Sequence, residues 1–359
     1  MTHPTVNLAE LELPEMEAAF DTRGLERFRA RQVFRWIYRR GVTDFERMTD
    51  LSHRLRTALA AEFSVDTPAV VKDDRSADGT RKLLLELADG RQIESVFIPD
   101  TPSMTFCVST QVGCAMGCDF CLTGRMGLVR HLTAGEIAAQ VRLLAAATGL
   151  LDRPFNIVLM GMGEPLHNYD NTLKALRILH TESGLAVSPR RVTLSTVGIV
   201  PGLERLAGEA IMPNLAVSLH ATTDEQRTAL VPPNRKYPLT EILEVCRRFP
   251  LKRRNRITFE YVLLADVNDT AEDARRLVRL MSGLKAKVNL IPLNPAPGIP
   301  YRRPSNERVD RFAQILADHR ITVSVRKSRG RDIRAACGQL IVEGGARRTA
   351  AQQVATLMR

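Results

Sequence analysis

Long apolar runs are missing. No window of the 359-residue chain approaches the roughly 18 uninterrupted apolar residues of a membrane span, so no membrane partner is expected. The opening stretch MTHPTVNLAELELPEMEAAFD is acidic and has no basic region leading into an apolar run. It does not read as a signal peptide, and a cytoplasmic location is the expectation. Repeats and low-complexity segments are absent too. With 44% apolar and 25% charged residues, disorder, collagen and coiled coil are excluded as descriptions of the whole. Acidic side chains are outnumbered, 40 against 51 Lys and Arg, and the net charge of +11 favours a polyanionic partner such as nucleic acid or an anionic membrane surface. The length suits one large domain, or a main domain with appendages.

Cysteine is scarce as well. There are six: Cys107, Cys114, Cys118, Cys121, Cys246 and Cys337. In a reducing compartment, clustered cysteines more often bind metal or do chemistry than form structural disulfides. Residues 1 to about 65 read as helical, with Leu25, Phe28, Val33, Phe34, Ile37 and Tyr38 at spacings that fit one helix face. The arginines among them, from Arg27 to Arg40, are either a solvated face or a phosphate-contacting surface. Residues 68 to 100 read as a β-hairpin turning at Asp89-Gly90. From residue 104 strands and helices alternate, with strands at 104–110, 155–160, 191–196, 214–219, 257–264, 287–293 and 321–325. Alternating βα units imply a parallel sheet, and six in succession suggest a curved or partial barrel more than a flat one. From 321 the tail carries eight Lys or Arg against two acidic residues. Its thiol, Cys337, is either an incidental surface group or one made reactive by the basic stretch around it.

The most informative run is Cys114-Ala-Met-Gly-Cys118-Asp-Phe-Cys121, placed after the first barrel strand where such folds carry their active sites. Tetrahedral structural zinc usually takes four protein ligands, and no fourth Cys or His lies near in sequence. An iron–sulfur cubane on three cysteines leaves one iron open to a small molecule. A zinc site completed from afar, or plain unligated thiols, are the alternatives. Met160-Gly161-Met162-Gly163-Glu164-Pro165 ends the second strand, Ser195 the third, Ser218-Leu219-His220 the fourth, and Asn294 follows the sixth. Each taken singly is commonly a buried, satisfied polar group; their common rim favours a ligand site.

The CxxxCxxC spacing resembles the radical S-adenosylmethionine (SAM) superfamily. With RARQVFRWIYRRGVTDFERMTDL, QIESVFIPD, FCVSTQVGCAMGCDFCLTG, GMGEPLHNYDN, RVTLSTVG, NLAVSLHA, IPLNPAPG and RKSRGRDIRAACGQL, the chain resembles the RlmN/Cfr family of radical SAM RNA adenine methyltransferases, most of all its RlmN branch. That resemblance implies an α/β fold, a partial (β/α)6 radical SAM barrel over 104–325. It also implies a helical RNA-binding accessory domain over 1–67, a β-hairpin extension over 68–103 and a basic tail over 326–359. One 4Fe-4S cluster would sit on Cys114, Cys118 and Cys121 with SAM on its open iron. SAM would touch Gly163, Glu164, Ser195, Ser218, Leu219, His220 and Asn294.

The implied reaction consumes two SAM per turnover. One methylates Cys337; the other yields a radical that removes hydrogen from the S-methyl group, and the resulting carbon adds to adenine. Cys107 would then free the product by a transient disulfide with Cys337, and Glu94 would accept a proton. The implied substrates are an adenosine of 23S rRNA in the peptidyl-transferase centre and adenosine 37 of tRNA, methylated at C2. The Gly127-Leu128 form after the cluster leans toward Cfr-like members, which methylate C8 of 23S rRNA. A cysteine-metal RNA-binding protein without catalysis is disfavoured, since it has no use for Cys107 and Cys337. An electron donor such as flavodoxin is implied, a monomer is the default, and Cys246 is read as an ordinary buried thiol. Lys252-Arg253-Arg254-Asn255-Arg256 and the tail add cations suited to folded RNA, whose target base must be extruded to react.

Overall fold

Residues 5–99 and 103–342 are described by the structure, a computed structural model. The chain opens with a short strand β1 (Val6–Asn7) and three helices, α1 (Leu13–Asp21), α2 (Arg27–Tyr38) and α3 (His53–Glu62), and β2 (Phe63–Ser64) returns to pair parallel with β1. Val33, Phe34, Ile37 and Tyr38 are buried as their spacing predicts. Phe28 is not: it is 49% exposed and stacks under the Arg29 guanidinium. Arg27, Arg29 and Arg31 form ion pairs with Asp21, Glu26 and Glu17, so this part of the basic face is partly neutralised. Arg35, Arg39 and Arg40 are exposed at the end of α2.

The segment read as a hairpin has three strands: β3 (Ala69–Arg75), β4 (Arg81–Glu86) and β5 (Gln92–Ile98), all antiparallel. The extra strand AVVKDDR is almost wholly exposed at the sheet edge. With no buried face it shows no hydrophobic alternation, the signal by which a strand is read from sequence.

The first expected barrel strand is split in two. β6 (Thr105–Cys107) joins the main sheet, while β7 (Gln111–Gly113) pairs with β8 (Leu128–His131), and the cysteine run and α4 (Leu122–Met126) lie between them. There follow α5 (Ala134–Thr148), β9 (Asn156–Leu159), α6 (Tyr169–His180), β10 (Val192–Thr196), α7 (Val200–Ala207) and β11 (Asn214–Ser218). Next come α8 (Asp224–Leu230), α9 (Leu239–Arg248), β12 (Ile257–Leu263), α10 (Ala271–Met281), β13 (Ala286–Pro292), α11 (Asn306–Asp318) and β14 (Val323–Val325). Seven parallel strands run β14-β13-β12-β11-β10-β9-β6, and β5-β4-β3 extend the same sheet antiparallel. The sheet does not close, which agrees with a partial barrel. Leu194, Val217, Phe259 and Leu290 pack under the helices, while Ser195, Ser218, Glu260 and Asn289 alternate onto the concave side.

The amino-terminal helices are fastened to this core at α5 and α6. The Glu10 carboxylate accepts from Gly135 N at 2.8 Å and Thr133 Oγ1 at 2.5 Å at the start of α5, where helix N–H groups lack partners. Glu12 and Glu15 pair with Arg177 and Lys174 on α6, each at 2.8 Å. Among the described residues no helix is long and apolar enough to cross a membrane.

Arg227 on α8 is fully buried. Its guanidinium donates to the carbonyls of Val197 (2.5 Å), Ser218 (3.1 Å) and Leu219 (3.0 Å) and to Asn234 Oδ1 (3.0 Å). Burial lowers its pKa to about 10, which leaves it charged at neutral pH. Replacing it by Ala strands those acceptors and opens a cavity, so Arg227→Ala should lose about 3 kcal/mol in urea unfolding, with Arg227→Lys recovering only part. A loss below about 0.5 kcal/mol would contradict this role.

Candidate active site

The loops at the C-terminal ends of the parallel strands surround a cleft of about 960 Å³, its open mouth included. Cys114, Cys118 and Cys121 all line it. Their loop leaves β7 through Gly113, whose φ is +76°, and a Cβ there would overlap the Gly127 carbonyl oxygen, so only glycine fits. Cys114 N donates to that same carbonyl at 2.9 Å. Beyond it, the Asp119 carboxylate accepts from Arg125 Nη2 at 2.6 Å and from the Tyr301 hydroxyl at 2.7 Å, and Asp119 N donates to Leu230 O. The loop is therefore braced from three elements.

Burial pushes all three thiols up, which keeps them protonated unless a cation takes the proton's place. Among the described residues no set of three Cys, His, Asp or Glu is drawn together to hold a single metal ion. Three soft donors round one cleft suit a multi-iron cluster, which spreads its thiolates more widely than one ion does. The Asn294 Oδ1 atom, buried in the same cleft, has no hydrogen-bond partner among the described residues, as expected of a group that meets a polar ligand.

Gly163, Glu164, Ser195, Ser218, His220 and Asn294 line this cleft too. Gly163 has φ +106°, and a Cβ there would sit 2.7 Å from the Gln111 side chain. Glu164 is buried, accepting from Val197 N at 2.8 Å and Leu166 N at 3.0 Å, and burial outweighs these bonds to push its carboxyl up to about 7. His220 accepts from Val262 N at Nδ1, so its proton sits on Nε2, and burial with the Arg227 charge lowers its pKa to about 3. Its ring meets that of Phe120 edge-on at 4.8 Å. Ser195 and Ser218 face each other at 3.4 Å. Leu219 differs: its side chain is fully buried off the cleft, and its backbone is engaged by Glu260 and Arg227.

Cys337 also lines the cleft. Leu122 N donates to Gly338 O at 2.9 Å, Thr123 Oγ1 to Leu340 O at 2.6 Å, and Gln339 Nε2 to Pro295 O at 2.9 Å, so the arm lies across the rim. Cys107 lines an adjoining cleft that shares Met160, Glu260, Ile291, Asn294, Arg326 and Cys337 with the first. Burial pushes the Cys107 thiol up to about 12, with the Arg326 charge opposing. Glu94 lines neither cleft. It sits buried within β5, one oxygen on Lys82 Nζ at 2.7 Å and the other accepting from Ile341 N at 2.9 Å; burial raises its pKa against both contacts.

Two residues of the clefts carry no role in the sequence reading. Glu260, buried on β12, accepts from Asn289 Nδ2 at 2.7 Å and faces both clefts. A lone carboxylate inside the apolar run ITFEYVLL is the signal that could have found it. Arg326 was only one cation of a basic tail, yet it lies among Cys337, Glu260 and Cys107, whose negative forms raise its pKa against burial. Cys246 is buried on α9, away from both clefts. The stretch from 343 on lies outside the described residues.

Comparison with known proteins agrees with this arrangement. Residues 6–65 match the family described as the ribosomal RNA large subunit methyltransferase N-terminal domain, and residues 108–280 match the radical SAM superfamily. A protein of Syntrophotalea carbinolica named dual-specificity RNA methyltransferase RlmN is 53% identical over 93% of this chain and 89% of its own. A protein of the same name from Geobacter sulfurreducens is 51% identical over 93% and 92%. The crystal structure of a radical SAM methyltransferase from Sphaerobacter thermophilus superposes with a TM-score of 0.90 at 48% identity, covering 93% of this chain and 99% of that one. In sequence along nearly its whole length, and in fold, the chain belongs to the RlmN family of radical SAM methyltransferases.

Proposed function

We propose that this chain is an RNA methyltransferase that places a methyl group on C2 of an adenosine in the peptidyl-transferase centre of 23S rRNA and on adenosine 37 of tRNA. The relatives' shared name supports an RNA substrate of two kinds. The observation that carries the reading is that Cys337 lies in both clefts, with the three-cysteine loop in one and Cys107 in the other. A mere metal-stabilised binding module needs no such pair of extra thiols.

When bound, a 4Fe-4S cluster and SAM supply the methyl group and the one-electron chemistry that an unreactive aromatic carbon requires. Cys114, Cys118 and Cys121 would hold three irons, and Gly163, Glu164, Ser195, Ser218, His220 and Asn294 would receive SAM, with the buried Leu219 setting Ser218 and His220 on either side of it. Cys337 takes the methyl on sulfur, carries that carbon to the base and stays joined to it. The Cys107 thiolate then attacks the Cys337 sulfur: the S–S bond forms as the sulfur–carbon bond breaks, and its electron pair stays on the carbon attached to the base, which takes a proton to become the methyl group. The Arg326 cation beside both thiols favours the Cys107 thiolate. Glu94 is read as the proton acceptor; its Ile341 contact ties that role to the position of the arm. Two SAM would be used per turnover, and an electron donor such as flavodoxin would supply the electron the chemistry needs. Residues 1–67 serve as the RNA-binding accessory unit, 68–103 as the extension, 104–325 as the core and 326–359 as the carrier arm, in a chain acting as a monomer.

The anaerobically reconstituted chain should convert 23S rRNA and tRNA fragments to 2-methyladenosine, read by mass spectrometry; 8-methyladenosine would overturn the C2 assignment. Cys337→Ala should lose at least about a thousandfold in methyl transfer, as when a covalent nucleophile is removed, while still cleaving SAM. Cys107→Ala should instead accumulate an RNA-linked chain on a denaturing gel.

Glu164, with its pKa up near 7, accepts from the SAM ammonium only when ionised. SAM affinity, measured by equilibrium dialysis, should therefore rise as pH rises through 7 and weaken below it, and Glu164→Gln should flatten the profile. RNA affinity should fall steeply with salt, the logarithmic slope exceeding about 3 if several phosphates are gripped. A flat response would remove RNA as the substrate.

A further inference from the structure

The arm from Gly330 to Val342 is fastened to the sheet extension at two places. At the first, the turn between β3 and β4 and the arm exchange hydrogen bonds in both directions. Asp78 Oδ2 accepts from Gly330 N at 2.9 Å, while Asp332 accepts from Ser76 Oγ at 2.6 Å and Ala77 N at 3.3 Å. Gly330 is pressed onto the turn, with φ +60°; a Cβ there would stand 2.7 Å from Thr80 Cγ2. Burial opposes the charge on Asp78, but hydrogen bonds from Thr80, Gly330 and Ser76 hold it down to about 2. At the second place, Glu94 accepts from Ile341 N. Cys337 lies on the stretch between.

We propose that Ser76 and Asp78 of the β3–β4 turn, with Asp332 of the arm, form a clasp that sets where Cys337 stands over the two clefts. These are positioning residues, acting through the arm rather than on substrate. The inference rests on Cys337 being the methyl carrier. With the clasp closed, the stretch between the Asp332 anchor and the Gly338 carbonyl bonded to Leu122 N runs only from 333 to 337. With it open, the next backbone bond upstream is Arg326 N to Leu290 O, at the end of β14. The sulfur then sweeps a larger volume, and a reaction that needs one atom held in attack position loses rate when its tether lengthens. The expected symptom is uncoupling: SAM is cleaved as before, but fewer cleavages end in methylated RNA.

The test uses the full chain with its cluster reconstituted, comparing Asp78→Ala and Asp332→Ala with Asp78→Asn, which keeps an acceptor for Gly330 N. Two readouts are taken: amide hydrogen exchange over 328–342, and 5′-deoxyadenosine formed per methylated adenosine. Both Ala variants should exchange about tenfold faster there and spend about tenfold more 5′-deoxyadenosine per product, as expected for losing hydrogen bonds to a charged group. SAM cleavage without RNA should stay unchanged, and Asp78→Asn should recover most of the coupling. Since Asp332→Ala leaves the β3–β4 turn itself intact, a folding defect confined to Asp78→Ala is recognised at once. Unchanged exchange and coupling would overturn the clasp, and faster exchange with unchanged coupling would overturn its positioning role. A parent chain that methylates no adenosine overturns the carrier reading, and the exchange data then still report by themselves whether the clasp holds the arm.

Discussion

One buried cation holds the wall of the cleft in place. The loops after β10 and β11 turn their carbonyls inward, where water does not reach, and buried carbonyls left without donors are costly. Arg227 supplies the donors, because only a guanidinium offers five N–H groups in a fixed fork. Val197, Ser218 and Leu219 thereby take the backbone positions from which Glu164 is anchored and His220 is presented. The same positive charge, added to burial, keeps His220 neutral. Position and protonation at this wall thus share one cause.

The open sheet explains the second cleft. A closed barrel of this size fills its interior with branched apolar side chains. Here the concave face carries Thr193, Thr258, Glu260, Asn289 and Ser324, and a polar row crosses three strands: Ser324 Oγ donates to Asn289 Oδ1, and Asn289 Nδ2 donates to Glu260. The register Glu260–Asn289–Ser324 makes this row a direct consequence of strand alignment. Such a face is affordable only where it borders a chamber that takes a polar guest, which is why Glu260, though buried, looks into both clefts.

Much of this was legible in the sequence. The parallel strands fall within a few residues of their expected places, with a helix between successive strands as expected, because each strand is a short apolar run. The cysteine loop stood out by its spacing and the rim residues by their place at strand ends, while their assignment to SAM came from the family resemblance. What escaped notice leaves no mark in the local pattern of apolar and polar residues. AVVKDDR pairs at an edge and buries nothing, so nothing in its composition marks it. Phe28 fits the apolar stripe of α2 and yet faces solvent, since stacking on Arg29 rather than core packing occupies its ring. Glu94 entered the sequence reading only through the resemblance, whereas its neighbours Lys82 and Ile341 are set by sheet register and by an arm more than two hundred residues away. The role of Arg326 among two thiols and a carboxylate could not be read from a run of basic residues either.

The proposed function makes Cys337 a carrier and Cys107 a resolver, and the settings of these two thiols differ to match. A methyl carrier has to meet two different partners, so it needs to be half-exposed at a place open to both; Cys337 is half-exposed and lines both clefts. A resolving thiol has the opposite need. If it were exposed and ionised it would compete for the methyl group or close the disulfide too early. Cys107 is buried on β6 with its thiol pushed up to about 12, so at neutral pH almost none is thiolate. Arg326 is the group that can offset this, and it sits on the strand end from which the arm departs. On the proposed reading, reactivity at Cys107 is tied to the same stretch of chain that carries Cys337, and burial rather than intrinsic sulfur chemistry orders the steps.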